Sequence, residues 1–591
     1  MEMKFSEIAK YMERLEATSG RIEMIHILTE LFRKASSPDE AAIIAYVILG
    51  ELHPPYTGLE LGMSEKLIIR SIALASGYNT SLVDKRMTEV GDIGKVAEEF
   101  IGRKKQVSLF PVELTLDRVY NTLDKIAKTA GEGSIDVKVR LLTSLLIDST
   151  PKEARYIARL VDGTLRLGVA DMTILEALAL CKGSRELKPI LEEAYNKYPD
   201  IGYIAKVLFK EGLDGIKKIE VTPGIPIRPM LAERVRSPEE AWEKTGGKLA
   251  AEFKYDGERV QIHKFDNGNK VLIFSRRLEN ITHQFPDVIE LVKKNVKADN
   301  VIFEGEAVAF DPETGEFKPF QELMHRKRKH DIERIAREIP VTLRVFDLIY
   351  LNGVSYLKKP FIERRRRLEE IIESNDYIKP SEIIYPRDTK ELWEFFHLAI
   401  ENGCEGLVIK SLASNSVYQA GARGWLWIKL KRDYRAELTD TLDLVVVGGL
   451  YGRGRKGGLL SSFLMAVYDE KNDVFKTVCK VGTGFKDEDL TEMNKNLKPL
   501  IRDRRPARVI AKMEPDVWIE PQIVLEIQAA EITLSPIHTC AYGVFQEDVG
   551  LALRFPRFTG RYRYDKSPED ATTEKEVIEM YKRQRRIVTE A

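Results

Sequence analysis

Glu252-Phe253-Lys254-Tyr255-Asp256-Gly257-Glu258-Arg259 is the stretch that decides how this chain reads. Its K-x-D-G pattern sets an amine beside a carboxylate, and the glycine lets the backbone turn away. That arrangement suits a lysine that attacks phosphorus and carries a nucleotide covalently. Alone the pattern is too short to decide anything; the residues that follow it, in order, give it weight.

Around this stretch, short β segments alternate with polar or glycine-bearing turns, at 250–253, 260–263, 271–274, 301–310, 343–351 and 406–411. Helical stretches at 285–293 and 364–372 lie between them, which is an α+β pattern. Upstream, Phe5, Ile8, Met12 and Leu15 recur at helical spacing, and Ile22, Ile25 and Leu28 continue it. This helical region ends near 220, where Pro223, Pro226 and Pro229 follow. Proline has no N–H and excludes the helical region for its predecessor, so helix cannot cross them. Downstream of Asp433, segments 442–447, 463–468, 474–481 and 524–527 predict a small barrel of the oligonucleotide-binding type. A last helix is expected at 574–586. Length alone calls for several cores, and the boundaries fall at 1–220, 221–432 and 433–591.

The 92 basic and 92 acidic residues cancel, so net charge announces no polyanionic partner. The basic residues nevertheless cluster, at 326–329, 364–367, 453–456, 502–508 and 554–563; solvated helix faces are the competing explanation. Charged residues reach 31%, above the usual quarter, which favours the ion-pair networks of a thermophile. Cys181, Cys404, Cys479 and Cys540 lie far apart without C-x-x-C, which excludes a four-cysteine zinc module and a disulfide scaffold. Met1-Glu2-Met3-Lys4 leads into an amphipathic helix, and the longest apolar stretch, 41–50, is too short for a bilayer. A cytoplasmic protein with no membrane partner is expected.

Charged residues border the strands of the middle region. Ser275-Arg276-Arg277 follows one strand, Glu304-Gly305-Glu306 lies in another, and Phe346-Asp347 in a third. Glu405 opens the 406–411 strand, and Arg423 precedes Lys429-Leu430-Lys431. Two-residue spacing puts Glu304 with Glu306, and Lys429 with Lys431, on one face of a strand. A surface strand explains any one of these. It explains poorly why carboxylates, arginines and lysines all border the same sheet.

In this order the motifs resemble those of ATP-dependent DNA ligases of the archaeal and eukaryotic replicative kind, over nearly the whole chain. The resemblance implies an all-α DNA-binding domain, an α+β nucleotidyltransferase (adenylation) domain, and a β-barrel OB-fold domain with a C-terminal helix. It implies that Lys254 is the nucleophile and ATP the co-substrate, with Mg²⁺ (or Mn²⁺) held by Glu306 and Glu405. It assigns nucleotide contacts to Arg259, Arg276, Glu306, Phe346 (stacked on adenine), Arg423, Lys429 and Lys431. Arg554 and Arg557, with Asp565-Lys566, resemble the last motif, which closes over ATP and then retreats. Glu252 accepts from the adenine amino group, where guanine would present an acceptor. A free lysine has a pKa near 10.4 and is protonated at neutral pH; the cations Arg259, Lys410 and Lys429 and the metal would disfavour its charged form.

Implied partners are nicked duplex DNA and a PCNA-type sliding clamp, met by a monomer acting in replication, repair and recombination. Gly163, Arg166 and Gly168, in the 162–171 segment, resemble the part of these ligases that grips the minor groove without reading sequence. On pattern alone that segment is equally a helix–turn–helix junction. Arg453 and Arg455 sit in a basic glycine-rich loop that lacks the G-K-[ST] ending of a phosphate loop and suits DNA backbone instead. Gln106, Leu109 and Phe110 resemble a clamp-binding motif. The competing functions are a capping-type RNA guanylyltransferase or RNA ligase, which shares K-x-D-G, and a non-catalytic DNA clamp. An NAD-dependent ligase would bring a four-cysteine zinc module.

Overall fold

The computed structural model describes residues 2–590 except 106, 108–109, 111, 313–314, 316, 328–330, 432–439, 453–457, 530, 536 and 555. Of residues 400, 401, 440, 531, 533, 554 and 585–590 it describes the backbone alone. Helix gives way to strand between Ile201–Lys217 and Leu231–Arg234. Before that point, the described residues hold helices from Phe5–Ala17 onward, packed on one shared core that includes Phe5, Ile8, Met12, Leu15, Ile25 and Leu28. Ile22 departs from the expected stripe and is 59% exposed. In the helix Arg21–Arg33 the buried stripe runs through Met24, Ile25, Leu28, Leu31 and Phe32, and position 22 falls outside it.

The helix Pro151–Asp162 has its ends written in sequence. Thr150 and Glu153 form a reciprocal capping box, Pro151 fills the first helical position, and Gly163 ends the helix at φ 72°. The proline-rich linker cannot satisfy its own backbone, so it borrows partners from the strand Glu258–Phe265. Ile227 N–H donates to Gln261 Oε1 and Gln261 Nε2 donates to Ile227 O, at 2.9 and 3.0 Å. Gly224 N–H donates to His263 Nδ1 at 2.9 Å. Burial pushes the His263 pKa down to about 3, which keeps the ring neutral and able to accept.

The middle region is two sheets. One has the order Leu231–Arg234, Arg423–Lys431, Gly406–Ser411, Leu249–Lys254, Ile383–Ile384. The other runs Lys270–Ser275, Glu258–Phe265, Val301–Ala309, Val341–Leu351, Val354–Ser355, with Ile378–Pro380 parallel to Val341–Leu351. The C-terminal region is a sheet of eight strands plus the hairpin Glu531–Ser535/Gly550–Arg554, closed by the helix Glu574–Glu590. Strands of two or three residues, such as Ile501–Arg502 and Val517–Ile519, escaped the sequence reading. A run that short shows no periodicity.

Two of the basic clusters send arginines inward. In the helix Phe361–Ile371, Phe361, Arg364, Arg365 and Leu368 form one buried stripe, and Arg366 and Arg367 face outward. Arg364 makes a two-pronged pair with Asp347, at 2.8 and 3.1 Å, with neither side chain exposed. Arg326 pairs with Asp287 in the same manner, at 2.7 and 2.8 Å.

Candidate active site

Strand register alone assembles one wall of the site. Lys254 lies opposite Gly406 and, one strand further, Lys431; Glu252 opposite Val408 and Lys429; Ala250 opposite Lys410 and Trp427. Side chains alternate across a strand, so these rows put Lys254, Glu252, Lys410, Lys429 and Lys431 on one face. The other face buries Leu249, Ala251, Phe253, Leu407, Ile409, Ile428 and Leu430. Each large apolar side chain among them contributes about 1.5–3 kcal/mol. Slipping any of these strands by one residue would exchange the two faces.

The second sheet supplies the facing wall, with rows Arg259–Glu306–Arg344 and Gln261–Glu304–Asp347. Phe346 sits between the pairings Gly305↔Val345 and Glu304↔Asp347, as the extra residue of a β-bulge. Bulges re-aim side chains, and this one brings the ring 6.2 Å from Trp427, centroid to centroid. Two glycines permit close backbone approach, Gly257 against the second sheet and Gly406 between neighbouring strands of the first. A Cβ on Gly257 would stand 2.3 Å from Ala307 O, and one on Gly406, at φ 146°, would stand 2.0 Å from Leu430 O.

Lys254 Nζ is 2.5 Å from Glu405 Oε2, and Lys431 Nζ is 3.6 Å from the same atom. Arg561 of the C-terminal domain reaches Glu405 Oε1 at 2.7 Å and Asp256 Oδ1 at 2.8 Å. Burial alone would raise the Glu405 pKa; Lys254, Lys431 and Arg561 outweigh it and hold the carboxyl well below its ordinary range. Glu306 differs. Burial pushes it up to about 8, with Lys254 drawing it down and Glu405 driving it further up. Glu304, its strand neighbour, is buried and bonded by Arg259 at 2.7 Å and by the Tyr418 hydroxyl. Burial also drives the Lys429 pKa well below normal.

Other expected cations have carboxylate partners elsewhere. Lys410 lies four residues along its strand from the Lys254 row, about 13 Å at strand rise. It is bonded to Glu252 at 2.7 Å, and its Nζ stands 4.9 Å from the Phe346 ring centre and 4.4 Å from that of Trp427. It is therefore not a near neighbour of Lys254, whose Glu405 partner is shared by Lys431 and Arg561. Arg365 holds the other Glu252 oxygen at 2.8 Å. Arg276 is 3.4 Å from Asp570, and Arg423 bonds Glu576 of the last helix. Lys566 pairs with Asp443; burial pushes its pKa down to about 7 against the pull of Asp443.

Three family models match in chain order. "DNA ligase N terminus" covers residues 4–179, "ATP dependent DNA ligase domain" 229–431, and "ATP dependent DNA ligase C terminal region" 456–566. The chain belongs to the ATP-dependent DNA ligase family. It is 52% identical to "DNA ligase 2" of Thermofilum pendens, over 99% of this chain and 98% of that one. It is 50% identical to the "DNA ligase" of Hyperthermus butylicus and to that of Aeropyrum pernix, each over 100% of this chain and 99% of the relative.

The remaining expected site residues of this ligase fall in two groups. Leu165 and Leu167 anchor the 162–171 segment in the helical core, and Gly168, at φ 72°, packs on Ala507 of the C-terminal domain. Arg166 is half-buried there, its Nε without a hydrogen-bond partner among the described residues. Arg557 is exposed. Gln106, Leu109, Arg453, Arg455 and the side chain of Arg554 lie outside the described residues, whereas Phe110 is 85% exposed. Arg561 was missed by sequence reasoning. Its signal was membership of the basic 554–563 cluster, which does not name a partner 156 residues away.

The donor set suits a hard divalent ion. Glu405 and Glu306 lie close enough to Lys254 for its charge to draw both carboxyls down, and no group of three His, Cys, Asp or Glu side chains forms a metal cluster among the described residues. Mg²⁺ binds in this way, through one or two carboxylates with phosphate and water completing the shell. Among the described residues, no helix is long and apolar enough to cross a membrane.

Proposed function

We propose that this ligase seals nicks in duplex DNA by three displacements at phosphorus, with Lys254 as the temporary carrier of adenylate. Lys254 attacks the α-phosphorus of ATP, forming an N–P bond and expelling pyrophosphate. The adenylate passes to the 5′-phosphate of the nick; the 3′-hydroxyl then attacks that phosphate and expels AMP. Each step is positioning and charge neutralisation rather than new covalent machinery. One observation carries the reading: Lys254 Nζ lies 2.5 Å from Glu405 on a sheet face that also presents Lys429 and Lys431. An amine held by a carboxylate donates and does not attack, so this contact must break when nucleotide enters.

Glu405 and Glu306 would hold Mg²⁺ or Mn²⁺, which neutralises phosphate charge. Lys429 and Lys431 face the phosphates, Arg259 is held in place by Glu304, and Phe346, set nearly perpendicular to the buried Trp427, offers adenine a ring to stack on. Arg365 and Lys410 fix the Glu252 carboxylate, which accepts from the adenine amino group and selects ATP over GTP. Gly163, Arg166 and Gly168, with Arg453 and Arg455, contact DNA backbone once the C-terminal domain leaves Gly168. Arg276, Arg423, Arg554 and Arg557 serve nucleotide when the domains rearrange. The ligase works as a monomer, and the exposed Phe110, with Gln106 and Leu109, docks a PCNA-type clamp. Incubation with α-labelled ATP tests the core of this: wild type takes a covalent label and Lys254→Ala takes none. Glu252→Gln should lose discrimination against GTP; unchanged discrimination removes that role. Clamp pull-down should fail for Gln106→Ala/Phe110→Ala, and undiminished capture dismisses the docking motif.

A further inference from the structure

Arg561 stands on the strand Arg557–Tyr562 of the C-terminal domain, yet two carboxylates of the adenylation domain hold its guanidinium. NH1 is 2.7 Å from Glu405 Oε1 and NH2 is 2.8 Å from Asp256 Oδ1. The side chain is 17% exposed, so this is not a loose surface pair. A carboxylate of its own domain, Glu526, lies further off at 3.8 Å. The arrangement fills Glu405. Oε2 serves Lys254 at 2.5 Å and Lys431 at 3.6 Å, and Oε1 serves Arg561. A divalent ion needs an oxygen of Glu405, and the guanidinium on Oε1 with the two amines at Oε2 sets three positive charges against its entry.

We propose that Arg561 is a tethered cation that occupies the position of the divalent ion in this closed arrangement, so that metal entry and departure of the C-terminal domain are coupled. The inference rests on Glu405 as a metal ligand. A free monovalent cation would exchange with bulk solvent. A guanidinium built into a strand leaves only when its strand moves, and that motion also uncovers Gly168. Until it leaves, the local charge repels a second cation.

The test is Mn²⁺ binding to the full-length, pyrophosphate-deadenylated protein without nucleotide, read by the EPR signal of free Mn²⁺. Arg561→Gln should bind Mn²⁺ roughly tenfold more tightly than wild type, the scale of removing one nearby unit charge in a partly screened site. Arg561→Met should match it, Arg561→Lys should stay near wild type, and Arg561→Gln/Glu405→Gln should lose the gain. Equal affinity in wild type and both neutral variants, with Glu405→Gln still weakening binding, overturns the proposal and leaves Glu405 as a ligand. A double variant that keeps the tight binding overturns both.

Discussion

Cations of the adenylation domain are held in two ways. Arg364, Arg365 and Lys410 pair with Asp347 and Glu252 inside the adenylation domain, at 2.7–2.8 Å and almost wholly out of water. Arg276 and Arg423 pair instead with Asp570 and Glu576, carboxylates carried by the C-terminal domain. The first set is permanent, because register and a helix stripe fix both partners in one rigid body. The second set spans two domains: if the C-terminal domain moved away, its carboxylates would go with it and the arginines would be left for another anion. Fixed pairs shape the pocket, and crossing pairs report whether the molecule is closed.

Breaking a permanent pair should cost most. Arg364→Met leaves Asp347 buried and unpaired, and should lower stability by about 4 kcal/mol in urea melts; a loss below about 1 kcal/mol would erase the distinction. Glu405→Gln, next in size, should slow lysine adenylylation about a hundredfold, about 2.7 kcal/mol. Glu576→Gln should cost the closed state about 2 kcal/mol while the domains stay folded. Small-angle scattering would then show a larger radius of gyration at low salt, and an unchanged radius would deny that the Arg423 pair helps hold closure.

A pH effect concerns the cavity of about 190 Å³ where the three domains meet, lined by Glu51, Asp171, Arg228, Arg276 and Asp570 among others. Burial, and then Asp171, push the Glu51 pKa up to about 8. The folded chain therefore binds a proton that the unfolded chain gives up near pH 4.5. Stability from this group is complete below that value and is lost as pH rises to about 8. Glu51→Gln should flatten that loss between pH 5 and 8 in thermal melts; parallel pH curves would contradict it.

Sequence made the permanent half of the molecule readable. The alternation through Lys254, Lys429 and Lys431 announces a charged face and a buried one, and the register delivers both. The proline cluster marks the end of the helical domain because its cause is local. Contacts between distant segments left no such mark. The Arg364–Arg367 run reads as a solvated cluster until Asp347 and Glu252 are known to lie beneath it. Lys410 reads as a neighbour of Lys254 until strand pairing sets it four residues away. Arg561 reads as one more basic residue, because its two carboxylates come from another domain.

The most direct measurement is peptide mapping of protein incubated with α-labelled ATP, alongside nick sealing by a Lys254→Arg variant. The label should sit on the peptide bearing Lys254, in an acid-labile linkage, and the variant should take no label and join no nicks. A label on any other peptide, or sealing with arginine at 254, would contradict the assignment of that amine as the carrier.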